Sequence, residues 1–230
     1  NLEDCALLKI NYKYLHEEIT GCDGSDRLYD IPQLEGLSDD NKEKFILQIL
    51  DYMRHKLCIY SAERTIDQVK DIEKQVRFNL KKPWTLDEND RIESGHSLCF
   101  VKPKSKKQAY GKEIVGYRSK LAIFVRDFLT ANGATTLINN ADEFIIYMKG
   151  LFKALNNYII ESDGFYQLDY DSILWEQGDE KTIRTDLIKI RTIGEEIVYK
   201  PNKYFQDFYK NIPLKDVILE AKDHTGQVPK

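Results

Sequence analysis

The chain is short of the residues that staple, ligate or span. Only four cysteines, four histidines, six prolines and two tryptophans occur in 230 residues. Cys5, Cys22, Cys58 and Cys99 lie 17, 36 and 41 residues apart, so there is no Cys-x-x-Cys knuckle for a zinc ribbon or finger. Cys58 and Cys99 sit in the apolar runs Lys56-Leu57-Cys58-Ile59 and Leu98-Cys99-Phe100, which reads as buried thiols in a reducing cytoplasm. His16-Glu17-Glu18-Ile19-Thr20 opens like a metalloprotease helix, but Thr20 stands where the second imidazole is needed. His16, His55, His96 and His224 share no ligand spacing, so no metal site is expected. Gly111-Lys112-Glu113-Ile114-Val115-Gly116 has the two glycines of a phosphate loop, yet Tyr117-Arg118 follows where Lys and Ser/Thr must stand. Neither the phosphate-gripping ammonium nor the magnesium-holding hydroxyl is present. No window approaches the ~18 apolar residues of a spanning helix.

An excess of one charge is lacking as well. Lys and Arg total 34 against 38 Asp and Glu, a balance of −4. Such a chain is no polycation, and any nucleic-acid contact must be a local patch. With 42% hydrophobic and 31% charged residues it reads as folded and soluble, with length enough for a core. It starts Asn1-Leu2-Glu3 and ends Gln227-Val228-Pro229-Lys230, which reads as a piece of something longer.

What is present is mostly helical periodicity. Leu7, Leu8, Asn11, Tyr14, Leu15 and Ile19 keep one face until Gly21-Cys22-Asp23-Gly24-Ser25. Asp40-x-x-Glu43 reads as a capping pair for a helix carrying Phe45, Ile46, Ile49, Leu50, Met53 and Leu57. Ser61 caps a third, with Ile66, Val69, Ile72 (or Glu73), Val76 and Leu80, which Pro83 ends. His96–Val101 is a short strand. Lys102-Pro103-Lys104-Ser105-Lys106-Lys107 follows as the only dense basic run, a phosphate contact or a solvated linker.

Leu121, Phe124, Val125, Phe128 and Leu129 make an amphipathic helix stopped by Asn132-Gly133. Asn140-x-x-Glu143 caps another with Phe144, Ile145, Met148, Leu151, Phe152, Leu155 and Ile159. Its outward side carries Lys149, Lys153, Asn156 and Asn157, suited to phosphates or base edges. Ser162-Asp163-Gly164 turns into an alternating strand, Phe165–Tyr170, and Ile173-Leu174-Trp175 follows. Helices followed by a ribbon is the order of a winged helix. The expected fold is mainly α with a small β-component: a helical arm over 1–95, a winged-helix-like domain over 96–200, and a segment over 201–230.

The C-terminal third carries a resemblance. Phe165-Tyr166-Gln167-Leu168, Ser172–Asp179, Asn202–Tyr209 and Ala221-Lys222-Asp223-His224-Thr225-Gly226-Gln227-Val228 follow the order of a stretch in large DEAD/DEAH-box superfamily 2 DNA helicases of the Lhr-like and DISARM-like kind. Gln48–Ile59 and Lys82–Asn89 resemble the helical insert of the same enzymes. The resemblance implies an accessory region, with 201–230 returning into a RecA-like motor lobe and the ATP and Mg²⁺ sites elsewhere in the parent hydrolase. It implies DNA, single-stranded or forked, and the parent's motor lobes as partners, in the cytoplasm and away from membranes. Lys102, Lys104, Lys106, Lys107, Lys112, Arg118, Lys149 and Lys153 would hold phosphates, and His224, Thr225 and Gln227 would lie where such lobes face nucleic acid. No residue is expected to be catalytic and no cofactor is expected in this chain.

Two other classes fit the same residues. Val217-Ile218-Leu219-Glu220-Ala221-Lys222 reads as half of a Mg²⁺-dependent nuclease, Glu220 holding metal, Lys222 steadying charge, and Asp207 or Asp216 as the second acid. A protein-binding scaffold suits the net acidity.

Overall fold

A computed structural model describes residues 2–21, 28–60, 66–81, 85–92, 95–104, 109, 111–180, 183–190 and 201–211. The chain forms two units, one of Ile10–Trp175 with Thr185–Ile197, the other of Asn1–Lys9, Glu176–Arg184 and Val198–Lys230.

In the larger unit three long helices begin with a side chain that takes over an orphan backbone donor. In α2 (Asp39–His55) the Ser38 hydroxyl accepts from Asn41 N at 3.4 Å. Asp39 and Asp40 occupy its first turn and Arg54 and His55 its last, in the sense that complements the helix dipole. In α4 (Lys120–Ala131) the Ser119 hydroxyl accepts from Ala122 N. In α5 (Ala141–Ala154) Asn140 Oδ1 accepts from Glu143 N at 2.9 Å, while the Glu143 carboxylate takes the N–H of Asn139 at 2.7 Å. The apolar stripes then meet. Phe45 of α2 stacks on Phe124 of α4 and meets Phe128 at a tilt, at 5.9 and 5.3 Å between ring centres. Phe100 forms a second aromatic centre with Phe144, Phe152 and Tyr166.

The expected helical bundle followed by a winged helix is wrong: the described residues form a mixed α/β fold. A five-stranded sheet runs β2 (Ile59–Tyr60), β6 (Phe165–Asp169), β3 (Ser97–Cys99), β4 (Lys112–Ile114), with β5 (Ile159–Ser162) also on β6. β2 pairs with β6 and β3 with β4 in parallel, whereas β6 is antiparallel to β3 and β5. The two edges of β6 are shared out. Asp169 N donates to Tyr158 O toward β5, and Leu168 N to Cys58 O toward β2, both at 2.7 Å. The ribbon therefore cannot stand free as a wing, because strands from the first hundred residues occupy its other edge. Gly95 permits this close packing: a Cβ there would meet Ile59 O at 2.7 Å.

The turn into β6 forms where the sequence places it, but Ile159, expected on the preceding helix, instead opens strand β5. Asp163 and Gly164, at φ 53° and 77°, form the two-residue turn whose twist suits a hairpin. The expected first helix is instead strand β1 (Leu8–Tyr12) followed by the short α1 (Leu15–Thr20). β1 pairs with β7 (Ile173–Gln177) as a two-stranded ribbon. The third helix is found as α3 (Ile66–Asn79), where Arg77 donates to the carbonyls of Leu86, Asp87 and Asp90. Four residues, Leu187–Ile190, make α6, and Lys203–Asn211 make α7 in the smaller unit. The strand expected over 217–222 lies outside the described residues.

Candidate functional site

The candidate phosphate-holding residues fall on separate elements. Lys102 and Lys104 are exposed in the connection from β3 to β4, and Arg118 is exposed in the turn before α4. Lys149 and Lys153 stand one turn apart on the exposed side of α5, with Asn156 beyond the helix end on the same side. That side is set by the opposite one: Phe144, Met148, Leu151 and Phe152 turn into the core, so 149 and 153 must face water. Asn157 bonds the buried carboxylate of Glu18. Lys106, Lys107, His224, Thr225 and Gln227 lie outside the described residues, as do Asp216, Glu220 and Lys222. Asp207 is exposed on α7.

Lys112 has a different setting. Its ammonium donates to Ser97 Oγ at 3.0 Å and lies 3.9 Å over the Phe165 ring, joining β4 to β3 and β6. Its neighbour Glu113 accepts from Tyr52 OH at 2.6 Å and from Lys56 Nζ at 3.2 Å, which ties the sheet edge to α2. Burial, with the bond to Glu113, raises the Tyr52 phenol well above its usual range. Cys58, beside them and fully buried, has its thiol pushed up to about 12 by burial and then by Glu113. Burial raises the Cys99 thiol too. A thiol kept protonated is a poor nucleophile, and the bonds of this cluster brace the sheet against α2. A second buried network, Tyr12 OH to Asp51 at 2.9 Å with Arg54 on the same carboxylate at 3.2 Å, fixes β1 to α2.

Sequence reasoning missed Tyr52, Glu113 and Gln167, whose amide donates to His96 O at 2.7 Å. Nothing in their spacing marks them, because each meets its partner across more than 60 residues.

Among the described residues no group of three or more His, Cys, Asp or Glu is placed to hold a metal ion. No described helix is long and apolar enough to cross a membrane. No protein-family model, curated protein or solved structure matches the chain.

Proposed function

We propose that this chain is a non-catalytic accessory region of an ATP-dependent DNA helicase, acting in the cytoplasm and contacting DNA phosphates from its lysine-bearing surfaces. ATP and Mg²⁺ belong, in this reading, to the motor lobes of the parent protein. The observation that supports it most is the outer side of α5, where Lys149 and Lys153 are held one turn apart by a helix whose other side is locked in the core. Two lysines whose backbone is already fixed in a helix meet a phosphate backbone at the cost of side-chain ordering alone, whereas two on a loose loop would lose backbone freedom as well. Lys102, Lys104 and Arg118 extend the cationic surface to two further places. Because the net charge is −4, binding is local, and it weakens steeply with salt.

The test is direct. The purified chain is titrated with fluorescently labelled single-stranded, duplex and forked DNA at low salt. Binding that is weakened several-fold by Lys149→Ala/Lys153→Ala, and again by Lys102→Ala/Lys104→Ala, supports the reading. Failure to bind any of the three substrates at low salt sinks it.

A second reading, the protein-binding scaffold, is favoured by α7. Tyr204, Phe205, Phe208 and Tyr209 form one exposed side of this helix, while the buried residue is Gln206. Aromatic side chains are the usual anchors of protein interfaces. A stable complex with a partner protein, lost in Tyr204→Ala/Phe208→Ala and accompanied by no DNA binding, would favour the scaffold instead.

A further inference from the structure

We propose that Thr185–Ile190 is a detachable clasp, docked in a groove between α2 and α4 and held there by one glutamine.

Gln48 lies on the inner side of α2 and is buried. Its amide reads the clasp as a strand neighbour would: Nε2 donates to Thr185 O at 2.9 Å, and Oε1 accepts from Leu187 N at 2.8 Å. One side chain thus satisfies a donor and an acceptor of the same short backbone, across 137 and 139 residues of sequence. Two adjacent aliphatics then follow, Leu187 and Ile188, both buried and both part of the main core cluster. The segment packs on α2 and α4.

Its own structure is slight. α6 has four residues, and Asp186 closes the turn, its Oδ1 accepting from Lys189 N at 2.9 Å and its carbonyl from Ile190 N at 3.1 Å. Isolated helices need on the order of 12–15 residues to persist, so this one is ordered by docking. The residues before it, Glu176–Arg184, and those from Val198 onward belong to the smaller unit. The clasp itself belongs to the larger unit. Such an element, with two apolar anchors and one polar clamp, opens below the free energy of global unfolding. Opening would bare the groove between α2 and α4.

Hydrogen exchange followed by mass spectrometry on the full chain decides this. In the wild type, the amides of 187–190 should exchange through a local opening, faster than those of α2 and α4. In Gln48→Ala, exchange of 187–190 should rise about tenfold, as expected for losing two bonds to buried backbone, with α4 amides within about twofold. A synthetic peptide covering Ile183–Ile190, added in excess, should bind Gln48→Glu less well than the wild type, because Glu can still accept from Leu187 N but cannot donate to Thr185 O. The proposal is overturned if 187–190 exchange together with α2 and α4 in both proteins. It is also overturned if the peptide never competes for the groove, since the segment is then ordinary core.

Discussion

Helices α5 and α7 look alike on paper and differ in what they bury. Each carries four bulky apolar side chains at helical spacing beside lysines. In α5 they are Phe144, Met148, Leu151 and Phe152, none more than 2% exposed. In α7 they are Tyr204, Phe205, Phe208 and Tyr209, and the least exposed of them is 47% open. Periodicity tells which residues share a face; it does not tell whether anything covers that face. What covers α5 is a sheet assembled from distant strands: Phe152 lies 5.1 Å from Tyr166 of β6 and 5.4 Å from Phe100, just after β3.

The contrast can be broken by mutation. Phe152→Ala should cost about 3–5 kcal/mol of unfolding free energy, since it leaves a cavity at the second aromatic centre, whereas Phe208→Ala should stay within about 0.5 kcal/mol. Denaturant unfolding of both variants measures the difference, and equal effects would mean that α7 is packed. Alkaline pH provides the next test, through a buried thiol. Cys58 ionises near 9 when unfolded and near 12 when folded. A raised folded-state value contributes stability in full below pH 9 and loses it progressively as pH rises toward 12. The wild type should therefore lose more stability than Cys58→Ala over that window, and parallel pH profiles would contradict the burial argument.

The caps give a smaller contrast of the same kind. Asn140→Ala removes a short reciprocal cap and should cost about 1 kcal/mol, while Asn202, whose Oδ1 is 3.4 Å from Phe205 N, should cost a few tenths at most. The smallest effect belongs to an exposed pair. Glu43 accepts from His16 at 2.8 Å and raises the imidazole above its ordinary 6.5. The pair is fully formed below pH 6.5 and fades as pH rises through the folded-state value, so Glu43→Gln should move the His16 NMR titration back toward 6.5.

What could be read from sequence is what is local. The Asn140–Glu143 cap, the Asn132-Gly133 stop and the Asp163-Gly164 turn each form where their residues predict. The apolar stripes of α2, α4 and α5 are likewise legible, because one amphipathic face must find a core. The fold class is not, for a physical reason: β2 and β4 have two and three residues, too short for alternation to show, and of the three short strands only β3 is legible, within His96–Val101. Their pairing joins Ile59 to Leu168 and Leu98 to Tyr166, contacts with no local signature. Leu8–Tyr12 reads as helix in sequence because its apolar residues continue into the periodic run of α1. Of the candidate surface, Lys149 and Lys153 could be placed because their helix could be. Lys112 could not, since its neighbours Ser97 and Phe165 come from two other strands.

The most direct test of the functional reading is the salt dependence of DNA binding. Affinity for a forked DNA should fall linearly in log–log form with salt. Lys149→Ala/Lys153→Ala should reduce the magnitude of that slope by about 0.9 for each phosphate that is no longer neutralised, while Tyr204→Ala/Phe208→Ala should leave it unchanged. A slope untouched by removal of the two lysines, or no measurable binding at low salt, would contradict the account.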